Sequence, residues 1–176
     1  MKVEQWPLAD LDELKQQAFV WVRGIDQVLL TDQELGALRS FVQSGRGVIL
    51  FETVHGEGSF CASIEQQLSA ALNNPITRAY DAPHLHDEFN ADLAEMGGVF
   101  FQPQTTRRLG SHDQSHRLRT MALPNPEVKI FFSHEDLSYA LLDRPWCNTD
   151  GYRKDSARII LHQLMHGKTL DEPSNP

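Results

Sequence analysis

Three short runs do most to limit what this chain can fold into: Phe19-Val20-Trp21-Val22, Gly47-Val48-Ile49-Leu50-Phe51 and Val128-Lys129-Ile130-Phe131-Phe132. They are rich in β-branched and aromatic residues and lack the strict apolar–polar alternation that would leave one face wet. Such runs suit strands buried on both faces, as in a parallel sheet covered by helices. They are far too short to cross a bilayer, which takes about 20 residues. Helical patterns separate them. Thr31-Asp32-Gln33-Glu34 has the form of a capping box, and Leu35, Leu38, Phe41 and Val42 follow as one apolar stripe. Gly45 is expected to close that helix in the left-handed conformation. A second helix is expected from Ser59, with Ile64, Leu68 and Leu72 spaced by four. Strand, helix, strand, helix with short links implies an α/β fold with a mostly parallel central sheet. The three apolar runs are expected as neighbouring inner strands.

The rest of the chain is organised around that frame. Residues 2–6 suit a lead-in strand, and Asp10-Leu11-Asp12-Glu13-Leu14 suits a short helix with acids at its positive end. Residues 76–117 are broken by Pro83, Gly97, Gly98, Pro103 and Gly110. Short elements are expected there: a helix over 87–96 and strands at Val99-Phe100-Phe101 and over 118–123. A helical turn is expected over 137–142 and a loop from Pro145 to Gly151. The final helix is expected over 155–166, with Ile159, Ile160, Leu164 and Met165 inward and Gly167 closing it. Residues 1–167 read as a single domain, and 168–176, with two prolines and no apolar periodicity, as a flexible tail. At 176 residues with 40% apolar content, one core is sufficient.

Charge narrows the partners. Sixteen Lys and Arg against 24 Asp and Glu leave a net charge of −8. Such a chain is repelled by phosphate backbones, so nucleic acid is not expected as a partner, nor is membrane insertion. The start of the chain has no apolar signal core, which makes a cytoplasmic location the default. The two cysteines, Cys61 and Cys147, are too few for a disulfide framework or a cysteine metal site.

In an open α/β sheet, ligands bind beyond the carboxyl ends of the strands. That rule selects the turn after the second run, with Glu52, His55 and Glu57, and the turn after the third, with His134, Glu135 and Asp136. The plain alternative is that these acids cap helices and that His134 only ties two loops. If both strands are parallel neighbours, the turns meet, and His134 is expected to pair with Glu52, Glu57 or Asp136 at one shared site. Cys61 invites a cysteine–histidine–acid reading with His134 and Glu135. It falls about ten residues beyond the strand, however, where a nucleophile elbow would place it at the turn itself. A buried structural thiol is the stronger reading.

His84-Leu85-His86-Asp87-Glu88 carries metal-ligand side chains, but Pro83 puts it in a loop without a partner set, so no metal is expected. His162 and His166 lack a third ligand. Arg107 and Arg108, with Arg117 and Arg119, read as a solvated face. Gly56-x-Gly58 before a helix is only a weak anion-binding signal.

Several segments resemble a known family. Leu30-Thr31-Asp32-Gln33-Glu34-Leu35, then Leu38 to Gly47, a buried strand and His55-Gly56-Glu57 are similar to the front of domain-of-unknown-function family 4159. Ile130-Phe131-Phe132-Ser133-His134-Glu135-Asp136-Leu137-Ser138 resembles its strand ending in Ser-His-x-Asp, and Gly151-Tyr152 with the last helix resembles its closing segment. The resemblance runs over about residues 18–167. It implies a class I glutamine amidotransferase-like, flavodoxin-like three-layer sandwich. Members of that family usually begin with a further strand ahead of the one matched by Phe19–Val22, and this chain is short there, so the resemblance implies a reduced member or a segment of a longer protein with a partner domain. The glutaminase elbow cysteine has no counterpart, since Thr53 and Val54 stand there. The expectation is a module without catalysis or cofactor that binds a small polar ligand or a protein partner through Glu52, His55, Glu57, His134 and Asp136. The alternative is a hydrolase using His134 with Glu135 or Asp136, or Cys61.

Overall fold

The computed structural model describes residues 7–8, 19–55, 58–78, 98–110, 116–142 and 150–166. In chain order they form β1 (Phe19–Gly24), α1 (Asp32–Ser44), β2 (Gly47–Thr53), α2 (Ser59–Leu72) and β3 (Ile76–Arg78). Then come α3 (Pro103–Leu109), β4 (Arg119–Met121), β5 (Val128–Ser133), α4 (Ser138–Leu141) and α5 (Lys154–His166). The five strands make one mixed sheet in the order β1-β2-β5-β4-β3. The three apolar runs are adjacent and parallel, β1 to β2 and β2 to β5. The short strands β4 and β3 add antiparallel pairings beyond β5.

Strand parity divides the core in two. Val20, Val22, Ile49, Phe51, Ile130 and Phe132 join Leu38, Phe41, Ile64 and Leu68 from α1 and α2. The alternate residues Phe19, Trp21, Leu50 and Phe131 join Ala157, Ile160, Leu161 and Leu164 from α5. Successive strand side chains point to opposite faces, so an unbroken apolar run feeds both clusters. Phe51 and Phe132, opposite each other in register, stack with ring centroids 5.5 Å apart.

The capping box forms as the sequence dictates. The Glu34 amide donates to Thr31 Oγ1 at 3.2 Å and the Thr31 amide to Glu34 Oε2 at 2.8 Å. Such a cap contributes about 1 kcal/mol.

Several expectations are corrected. Gly45 is extended, at φ −85°, not left-handed. Its glycine is needed because a Cβ would stand 2.6 Å from the Phe41 carbonyl oxygen and 3.1 Å from the Phe41 ring. β1 is not an inner strand: among the described residues it pairs only with β2, its residues are half-buried and Arg23 is exposed. Val99-Phe100-Phe101 forms only one bridge, Phe101 to Tyr152. Its backbone instead serves the start of α5, where Phe100 N donates to Ser156 Oγ and Phe100 O accepts from Arg153 N.

α3 is unannounced by any apolar stripe. It starts at Pro103, whose missing N–H and fixed φ suit a first helical turn, and it buries Thr105. In α5 the buried set is Ala157, Ile160, Leu161 and Leu164, so Leu161 takes the place expected of Met165, which is half-buried. The expected elements at 2–6, 10–14 and 87–96, Gly167 and the tail lie outside the described residues.

Candidate functional site

Register puts the carboxyl ends of three strands at one edge, with Gly24 opposite Thr53 and Glu52 opposite Ser133. The turn after β2 and the turn after β5 meet there. The His55 amide donates to Asp136 Oδ2 at 2.9 Å. Gly58, at φ +73°, lies against His134: a Cβ there would stand 2.8 Å from His134 Nδ1. A side chain at position 58 would therefore be strained and would also displace the imidazole.

Parity then decides which side chains meet. His134 follows Phe132 by two and falls on the α2 face. Its Nε2 lies 2.9 Å from Glu65 Oε1, and the other Glu65 oxygen takes Arg119 Nη1 at 2.8 Å. The expected pairing of His134 with Glu52 or Asp136 is thus replaced by Glu65, because Glu52 follows Leu50 by two and falls on the α5 face. Glu65 accepts from both neighbours. As a carboxylate held by Arg119 it can only accept, so His134 Nε2 carries the hydrogen, and Nδ1 has no hydrogen-bond partner among the described residues.

Cys61 is fully buried on α2. Its amide donates to Thr53 Oγ1, and its thiol donates to the carbonyls of Phe51 and Ser133 at 3.3 and 3.1 Å, bridging β2 and β5. Burial pushes the thiol up to about 12. No hydrogen bond links it to His134 or Glu135. Glu135 turns to α3, where Arg108 Nη1 and Nη2 grip its two oxygens at 3.2 and 2.5 Å. Asp150 stands 3.4 Å from the same guanidinium. The cysteine–histidine–acid set of the alternative reading is therefore not assembled: each member is engaged elsewhere.

Asp136 braces the next turn. Its Oδ1 accepts from the Tyr139 amide at 2.8 Å, and the His55 and Tyr139 rings, whose amides both bond this carboxylate, sit 4.7 Å apart. His55 holds φ +66°, a conformation that costs a non-glycine residue of order 1–3 kcal/mol.

Glu52 is fully buried at the end of β2. Its Oε1 accepts from the amides of Leu137 and Ser138 at 2.7 and 2.6 Å, while Oε2 has no partner. Burial pushes this carboxyl up to about 7; the nearby Asp136 charge adds to the rise, and the amides of Leu137 and Ser138 with the Ser138 hydroxyl oppose it. Leaving a buried polar atom unpaired costs about 1–3 kcal/mol, more when it is charged. Trp21 Nε1 is the other buried side-chain polar atom without a partner among the described residues.

Of the residues singled out from sequence, Glu52, His55, His134, Glu135 and Asp136 are brought to one edge; Glu57 lies outside the described residues, as do His84 and His86. The sequence reading missed Glu65 and the polar role of Trp21, and it took Arg108 and Arg119 for a solvated face, where each in fact holds a buried acid. Glu65 did leave a signal, an acid on the apolar stripe between Cys61 and Leu68. The arginines stood out as a basic cluster, but their partners come from distant segments and left no signal. Among the described residues no helix is long and apolar enough to cross a membrane, and no three metal-ligating side chains cluster. Compared with family models and with curated proteins, the chain matches none, so the reading of this edge rests on its own residues.

Proposed function

We propose that this chain is a ligand-binding α/β module, not an enzyme, and that it takes a small polar molecule at the carboxyl ends of β2 and β5. Its fold reads as a flavodoxin-like three-layer sandwich of the kind implied by the resemblance to family 4159. The two core clusters fit that arrangement, since α1 and α2 feed one and α5 the other. The observation that carries the function is Glu52: a fully buried carboxyl with one oxygen fixed by two amides and the other unpaired, at the strand edge where α/β proteins bind ligands.

A second reading, a hydrolase in which His134 activates water, has one observation in its favour. Glu65 orients the imidazole through Nε2 and leaves Nδ1 open beside Gly58. The binding reading is preferred because it accounts for the unpaired carboxyl, which the dyad does not touch.

The test is a screen of small polar molecules followed by amide NMR. Binding is expected to move the amide signals of Leu137 and Ser138, which bond Glu52, together with those of His55 and Tyr139. The Glu52→Gln variant is expected to lose the response. Shifts confined to the Gly58–His134 side, or turnover lost on His134→Ala, would replace the binding reading by the second one.

A further inference from the structure

The two buried side-chain atoms without a partner among the described residues are of opposite kind and lie on one face of the sheet. Trp21 Nε1 can only donate; Glu52 Oε2, when ionised, can only accept. Trp21 pairs in register with Leu50, two residues before Glu52, so both point to the α5 face from adjacent strands. Strand spacing puts their Cα atoms about 8 Å apart. One compact molecule offering an oxygen to the indole and a nitrogen donor to the carboxyl would satisfy both.

Charge selects the nitrogen. The other three buried acids of this edge are engaged: Glu65 by Arg119 and His134, Glu135 by Arg108, and Asp136 by the amides of His55 and Tyr139. Glu52 alone has a bare oxygen. Among the described residues, the charged or titratable groups around it are Asp136 after β5, Cys61 on α2, His55 in its own turn and Arg23 beside it in register on β1. Arg23 does not reach it; its guanidinium lies 5.5 Å from the centre of the Trp21 ring. A protonated amine fits this acidic setting, whereas a carboxylate ligand would meet repulsion from Glu52 and Asp136.

We infer that the site takes a small amino alcohol, with its ammonium group on Glu52 Oε2 and its hydroxyl oxygen accepting from Trp21 Nε1. The inference rests on the ligand-binding reading above and narrows it to a chemical class.

Ethanolamine is the probe, with ethylamine and ethylene glycol as its two halves, followed by amide and indole NMR on the intact chain. Ethanolamine is expected to shift the Leu137 and Ser138 amides and the Trp21 indole N–H, which is assigned with Trp21→Phe. Ethylamine is expected to bind up to about tenfold more weakly, the worth of one hydrogen bond, and Trp21→Phe to erase that difference. Because the amine meets the ionised carboxyl, affinity is expected to rise about tenfold from pH 6 to pH 8, and Glu52→Gln to abolish both binding and its pH dependence. Ethylene glycol binding as well as ethanolamine, or affinity that falls as pH rises, overturns the amino-alcohol assignment and leaves the binding site standing. If no polar molecule moves the Leu137 and Ser138 amides, the binding reading fails with it.

Discussion

The two faces of the sheet treat buried polarity in opposite ways at the same edge. On the α2 face the thiol of Cys61 meets two carbonyls, and Glu65 is held by Arg119 and His134. On the α5 face Glu52 and Trp21 each leave an atom unpaired. Both faces carry an apolar cluster, fed by α1 and α2 on one side and by α5 on the other, and differ in how their polar atoms are paired. A face whose buried polar groups pair among themselves, with only the partly exposed His134 ring keeping a nitrogen open, reads as structure. A face that keeps an acceptor and a donor open reads as a place for something else to bind. The contrast separates His134, whose Nε2 is occupied by a structural partner, from Glu52, whose free oxygen is not.

The largest effect that would break the comparison concerns the closed face. With its thiol near 12, Cys61 should react about a thousandfold more slowly than an ordinary thiol at pH 8 in the folded protein, because the thiolate is the reactive form. Alkylation followed by mass spectrometry in a Cys147→Ser background measures this. Rapid labelling of Cys61 without unfolding would open the face described as closed and revive the nucleophile reading.

The next effect sets the two buried acids against each other. Glu52 is raised from 4.5 to about 7 in the folded state, so the folded state binds its proton more tightly than the unfolded chain. Its contribution is therefore fully present below about pH 4.5 and is lost as pH rises to about 7, a loss of about 3 kcal/mol. Glu52→Gln removes that loss, so urea denaturation should find the variant more stable than the parent at pH 8 and the gap closing toward pH 4.5. Glu65→Gln should do the reverse at neutral pH. It weakens two pairings of a satisfied acid and should destabilise by about 1–2 kcal/mol, a figure held down because Arg119 is 40% exposed. Equal and same-signed changes in the two variants would erase the distinction between the faces.

What was legible in the sequence was local or periodic. The three apolar runs announced adjacent parallel strands, and Thr31 and Glu34 announced a helix start, because each signal lies within a few residues. Glu52, His55, His134 and Asp136 could be placed at one edge from the strand-end rule alone. Their pairings could not be read, because a one-residue difference along a strand sends a side chain to the other face. That is why His134 meets Glu65 and not Glu52. Arg108, on a seven-residue helix without an apolar stripe, and Arg119, on a three-residue strand, gave no pattern from which to predict acids 27 and 54 residues away. Trp21 read as core, which it is by packing; only the unpaired indole nitrogen, on the same face of the sheet as Glu52 and one strand over, gives it a second role.

On the binding reading, a ligand completes Glu52 Oε2, a buried and unpaired atom. Carbon-13 NMR of the Glu52 side-chain carboxyl across pH 3 to 9, with Glu52→Gln to assign the signal, tests it most directly. A midpoint near 7 is expected in the free protein, moving downward when ethanolamine is present, since a cation on Oε2 favours the charged form. A midpoint at or below the ordinary carboxylate value, unchanged by any added amine, would contradict it: Glu52 would then be a satisfied cap for the turn at Leu137 and Ser138, and the open face would be as closed as the other.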